Sequence, residues 1–203
     1  MNVLIVLGVA AAFGAAALGG VYLARRICAG ITPFEDGPRT GRPPASLLVA
    51  VAAAAGAFEA WRGVTGAELV IVAALACVLV AIWCSDVRCG IVPDAFTLVP
   101  LAAVIITAVA LQQWWVVASA AIVFVPFAGA AIASRGRGMG WGDVKLVALG
   151  GAVLGYEAAI LGFGLACAAA VLVALARRRG SEPIAFAPYL VAAIAIPLVL
   201  RSG

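Results

Sequence analysis

Three carboxylates in this sequence stand at the edges of long apolar runs. Asp86 follows the run 69–84, Asp94 opens the next run directly after Pro93, and Asp143 ends Gly140-Trp141-Gly142-Asp143 and starts another. A carboxylate at membrane depth costs on the order of 3 kcal/mol and marks a functional interior. At a membrane surface that cost falls, and helix capping competes as an explanation. Asp is a preferred N-cap residue, and both Asp94 and Asp143 precede a predicted helix. The surroundings of Asp143 point beyond capping. Glycines at 136, 138, 140 and 142 alternate ahead of it, which is more than a simple turn requires. Chain without side chains lets another backbone approach closely, so Gly140 and Gly142 would admit an extended peptide beside a carboxylate. Phosphate binding is the rival use of such a stretch, but GxGxxG after a strand is missing and an acidic residue would repel phosphate.

The rest of the composition narrows the chemistry. There is no histidine, which excludes Ser-His-Asp and Cys-His triads and HExxH zinc sites. Cys28, Cys77, Cys84, Cys89 and Cys167 include no CxxC pair, so no metal site is expected. Cys77 and Cys167 sit inside apolar runs as small core residues. No serine lies in a GxSxG elbow. For hydrolysis, two carboxylates sharing one proton are then the simplest apparatus. The ionised member takes a proton from water and the protonated member donates to the scissile carbonyl. Asp86 and Asp143 are the candidates. Lys145 and Arg88 are the nearest positive charges in sequence. Lys145, two residues along a helix from Asp143, is directed elsewhere and is expected to anchor the helix at the interface.

The elements that must position these residues are membrane helices. Of the 203 residues 66% are hydrophobic and 11% charged, against about a quarter charged in a soluble domain. The mean hydropathy is +1.20. The net charge of +4 is scattered over arginines and one lysine, too thin for a nucleic-acid surface. A span takes about 20 residues. Apolar runs at 3–23, 46–61, 68–84, 94–111, 115–133, 143–155, 158–176 and 185–200 predict an all-α bundle of eight transmembrane helices. The sixth is short or only partly inserted. The run 3–23 is followed, not preceded, by Arg25 and Arg26, which suits a retained helix rather than a cleaved leader.

Positive charge then sorts by loop. Arg25, Arg26, Arg39 and Arg42 fall after span one, Arg88 after span three, Arg135 and Arg137 after span five, and Arg177, Arg178 and Arg179 after span seven. Only Arg62 and Arg201 fall on the other side. With both termini outside, the positive-inside rule is met and the three aspartates face the cytosol. The segment 24–45 reads as a short cytosolic loop and the chain 1–203 as one transmembrane domain. Glu35, Asp36 and Glu182 read as solvated loop residues. Glu59, Glu68 and Glu157 take ordinary interfacial places, and Trp61, Trp114, Trp115 and Tyr156 are expected to anchor membrane edges. A small proton- or ion-coupled carrier using the same aspartates is the alternative. Carriers place such groups near the midplane within repeats, whereas these stand at span ends.

Several of these segments together resemble the prepilin peptidases, GxGD intramembrane aspartyl proteases. Asp86-Val87-Arg88-Cys89-Gly90-Ile91-Val92-Pro93-Asp94, followed by Thr97-Leu98 and Pro100, is similar to the family's Asp, then Ile-Pro-Asn or Ile-Pro-Asp ahead of a Thr-Leu-Pro helix. Gly140-Trp141-Gly142-Asp143-Val144-Lys145-Leu146 resembles its GxGD-VKL signature. Glu182-Pro183-Ile184-Ala185-Phe186-Ala187-Pro188-Tyr189-Leu190 resembles its Ile-Pro-Phe-Gly-Pro-Phe-Leu element, with Ala185 and Ala187 as mild departures. The resemblance implies an aspartic endopeptidase of the bacterial plasma membrane. Such an enzyme removes the basic leader of type IV prepilin or pseudopilin precursors on the cytosolic side. Asp86 and Asp143 would be its catalytic pair, needing no cofactor. Gly140, Gly142, Pro93, Asp94 and Lys145 would bind substrate or support the site. Members that also methylate the new N-terminus carry a loop with two cysteine pairs between the first two helices. Here that loop is short and holds only Cys28, so the chain resembles the shorter peptidase form.

Overall fold

The computed structural model describes residues 3–30, 44–64, 66–135, 139–176 and 185–201. Expectations for Glu35, Asp36, Arg39, Arg42, Gly136, Arg137, Gly138, Arg177, Arg178, Arg179, Glu182, Pro183 and Ile184 lie outside the described residues. Eight helices account for nearly all the rest, with no strand among the described residues. They are α1 (Val3–Ala29), α2 (Ala45–Trp61), α3 (Ala67–Cys89), α4 (Asp94–Ala110), α5 (Trp114–Ala133), α6 (Trp141–Leu154), α7 (Tyr156–Ala176) and α8 (Ala187–Arg201). This is the expected helical membrane bundle. α1, α3, α5 and α7 are each long and apolar enough to cross a bilayer, while α2, α4 and α8 are shorter apolar helices. A helix suits the bilayer because it satisfies its own backbone polar groups.

Two helices run further than the apolar runs do. α1 continues from the predicted end at 23 to Ala29, and α3 from 84 to Cys89. Nothing in Ala24-Arg25-Arg26-Ile27-Cys28 breaks a helix, so hydrophobicity stops before helicity does. The break comes at glycine. Gly90 takes the left-handed conformation (φ 67°) and its N–H donates to the Asp86 carbonyl at 2.8 Å, ending α3. Arg25, Arg26 and Arg88 are therefore helical, not loop residues.

The chain forms two compact units: Met1–Ile91 with Leu198–Gly203, and Val92–Pro197. In the first, α1 packs on α2 and α3. The approach is close: a Cβ on Gly20 would overlap the Cys77 carbonyl, and one on Gly56 would lie 2.6 Å from the Phe13 ring. Cys28 and Cys89, in the last turns of α1 and α3, form a disulfide with Cα atoms 6.1 Å apart. No spacing rule for local cysteine motifs reaches such a pair, 61 positions apart. Arg62, just after α2, donates from Nη1 to the carbonyls of Val199 and Leu200 at 3.0 and 2.9 Å. It thus satisfies acceptors that the C-terminal end of α8 leaves open. Glu59, expected at an interface, is instead fully buried. It stands in the last turn of α2, beside the buried Ala60 and one turn after the buried Gly56.

The second unit is built around α6. Its buried residues include Val144, Leu146, Val147, Leu149 and Leu154, covering the helix on all sides. Such a helix belongs inside a bundle, and it packs on α5, α4 and α7. At 14 residues it is about 21 Å long, short of the roughly 30 Å hydrocarbon thickness. Its burial explains why a span this short is tolerated, as the sequence had suggested for the sixth element. Gly150 and Gly151 let neighbours close in. A Cβ on Gly150 would run into Phe163 and Ile194, and one on Gly151 would lie 3.0 Å from the Ser119 carbonyl oxygen. Outward-facing Leu161, Leu165, Leu172 and Leu175 on α7 are exposed, an apolar surface suited to lipid. Trp61, Trp114, Trp115 and Tyr156 are exposed at helix ends, as membrane-edge anchors require.

Candidate active site

Asp86 belongs to the first unit. It lies in the last turn of α3, 7% exposed, between the buried Ser85 and Val87. Ser85 turns its hydroxyl back to the Ile82 carbonyl at 3.0 Å. The Asp86 carboxyl thus stands on an inward-facing, ordered helical turn at the end of α3. One turn earlier, the Trp83 indole N–H is buried without a hydrogen-bond acceptor among the described residues. Sequence reading missed this donor, because only burial distinguishes it from an ordinary core tryptophan.

The second unit brings together Pro93, Asp94, Gly140, Gly142, Asp143 and Lys145. Gly140 is the N-cap of α6, with extended backbone, and it accepts from the Asp143 N–H at 3.1 Å. Asp143 is therefore the third residue of the helix and not its cap. Its side chain is half-buried. A Cβ on Gly140 would sit 3.5 Å from Asp143 Oδ2, so the carboxylate lies over this glycine. Gly142 meets the segment before α4: a Cβ there would come within 2.7 Å of the Val92 Cβ. The glycines thus have two jobs. One leaves the face beside the carboxylate bare, and the other seats the start of α6 against Val92.

Asp94 is likewise not an N-cap. Pro93 caps α4 in extended conformation and Asp94 is the first helical residue. Its carboxylate pairs with Lys145 Nζ at 2.6 Å. Lys145 therefore reaches protein, which corrects the interfacial anchoring expected for it. The Thr97 hydroxyl, fully buried, donates back to the Asp94 carbonyl at 3.3 Å. The tail element also makes sense locally. Ala187 opens α8 fully buried, a position with space for a small side chain. No cluster of three or more metal-ligating side chains occurs among the described residues.

Carboxylates at ordered helix ends, one beside bare glycine, can exchange protons with a bound peptide and water. The sequence profile described as the type IV leader peptidase family matches residues 72–175, a stretch that contains Asp86, Asp94, Asp143 and Lys145. No curated protein and no solved structure matches the chain significantly. The profile covers just over half of the 203 residues, and with it the chain belongs to the type IV leader peptidase family.

Proposed function

We propose that this protein is an aspartic endopeptidase that removes the basic leader from type IV prepilin or pseudopilin precursors at the cytosolic face of the bacterial plasma membrane. The whole chain acts as one peptidase domain. Its partners are the precursor and the bilayer, with no nucleic acid and no cofactor. The observation that carries this reading is the placement of Asp86 and Asp143 inside the matched region, one on a buried helical turn and one over bare glycine. The membrane setting adds to it, because the apolar body of a precursor can stay in lipid while its polar leader reaches the aqueous edge.

The mechanism proposed requires two carboxyls that hold one proton between them. The ionised one draws a proton from water, and the other donates to the scissile carbonyl. Two carboxyls that share a proton cannot both be negative, so a pair of this kind titrates as a unit. Cleavage then rises with pH as the first carboxyl ionises and falls as the second loses its proton.

The test is co-expression of a candidate prepilin with the wild type, Asp86→Asn and Asp143→Asn, with leader removal followed by mass spectrometry. Each Asn variant should lose about 10³-fold or more, the scale on which members of a catalytic unit fail singly. Wild-type cleavage by either variant would refute the assignment.

A further inference from the structure

We propose that Asp94 and Lys145 form a positioning pair that fixes the height and rotation of Asp143. The proposal rests on the reading of Asp143 as catalytic and concerns how that residue is held. Asp143 and Lys145 lie about 200° apart around α6, so the ammonium points away from the face that Asp143 presents. It goes instead to Asp94 on another helix, at 2.6 Å.

Both sequence sides of Asp143 are therefore attached to one short segment. Gly142, before it, seats on Val92. Lys145, after it, pairs with Asp94. The segment between these contacts is stiff. Pro93 has its φ fixed at −67° and ψ at 134°, and a residue ahead of proline is itself restricted to extended backbone. The buried Thr97 hydroxyl holds the Asp94 carbonyl from within α4. The start of α6 is thus gripped at two points by a rigid strut, and Asp143 lies between the grips.

The exposure of the pair separates this role from bulk stability. The side chains of Lys145 and Asp94 are 27% and 63% exposed, and a pair that open to water adds little to folding. Catalysis is far less forgiving, since a misplacement of about 1 Å can cost about 10²-fold.

The experiment uses the full-length protein in proteoliposomes with a prepilin substrate. Lys145→Met and Asp94→Ala should each lower kcat by about 10- to 100-fold with KM nearly unchanged. Their melting temperatures should stay near that of the wild type. The exchanged pair, Asp94→Lys with Lys145→Asp, should recover most of the loss suffered by either reversal alone. Hydrogen exchange at the amides of residues 142–146 should quicken in the single variants and slow again in the exchanged pair. This second readout does not depend on activity. Unchanged exchange in the single variants, no recovery in the exchanged pair, or a loss confined to KM would each overturn the proposal. An active Asp143→Asn would instead strike the reading on which it rests, leaving the exchange result to stand by itself.

Discussion

Gly140 and Gly142 are two positions apart and have opposite tolerances. An added methyl at 140 would make an ordinary contact, 3.5 Å from Asp143 Oδ2, whereas one at 142 would be pressed to 2.7 Å from Val92. Gly142→Ala should therefore destabilise the protein by about 1–3 kcal/mol, the usual range for overpacking. Gly140→Ala should lose no more than about 1 kcal/mol, from the poorer N-cap. Thermal melts in detergent compare the two directly, and the prediction fails if their order is reversed. The aspartates were legible in the sequence because each stands at the edge of an apolar run, Asp94 after proline and Asp143 after glycine. Their local roles were less so: Asp94 and Asp143 occupy the first and third helical positions, and their caps are Pro93 and Gly140. The partner of Lys145 was not legible at all. Asp94 stands 51 positions away, and no periodicity along one helix reports a contact made with another.

At the level of elements, every predicted span is a helix, because a run of apolar residues long enough for the bilayer has no other stable form there. The ends were harder to read. α1 and α3 each extend through arginines at which the hydrophobic signal stops, since arginine is a good helix former, and α3 ends only at Gly90. The C-terminal end of α8 depends on a side chain outside it. Its Val199 and Leu200 carbonyls accept from Arg62. Arg62→Ala should weaken that turn by about 1 kcal/mol, the scale of a hydrogen bond to a charged donor in partial contact with water. Exchange at the last amides of α8 should then speed up roughly five-fold, measured by mass spectrometry on the C-terminal peptide. An unchanged rate would mean that the helix end holds without the guanidinium.

Across the whole molecule, the residues of interest divide between the two units. Asp86 lies in Met1–Ile91, whereas Asp94, Asp143 and Lys145 lie in Val92–Pro197. The family match, starting at residue 72 and ending at 175, begins within α3 and runs through α7. It leaves out α1 and α2, yet α1 is joined covalently to the matched portion by Cys28 and Cys89. The bond closes a ring of backbone that includes the whole of α2. A protease that severs the chain once between positions 31 and 43 would therefore not release the N-terminal helix. After purification in air, on a gel without thiols the nicked protein should migrate as one band, and with dithiothreitol it should part into a fragment of about 30–40 residues and the remainder. Two bands before any reductant is added would show that the ring is open.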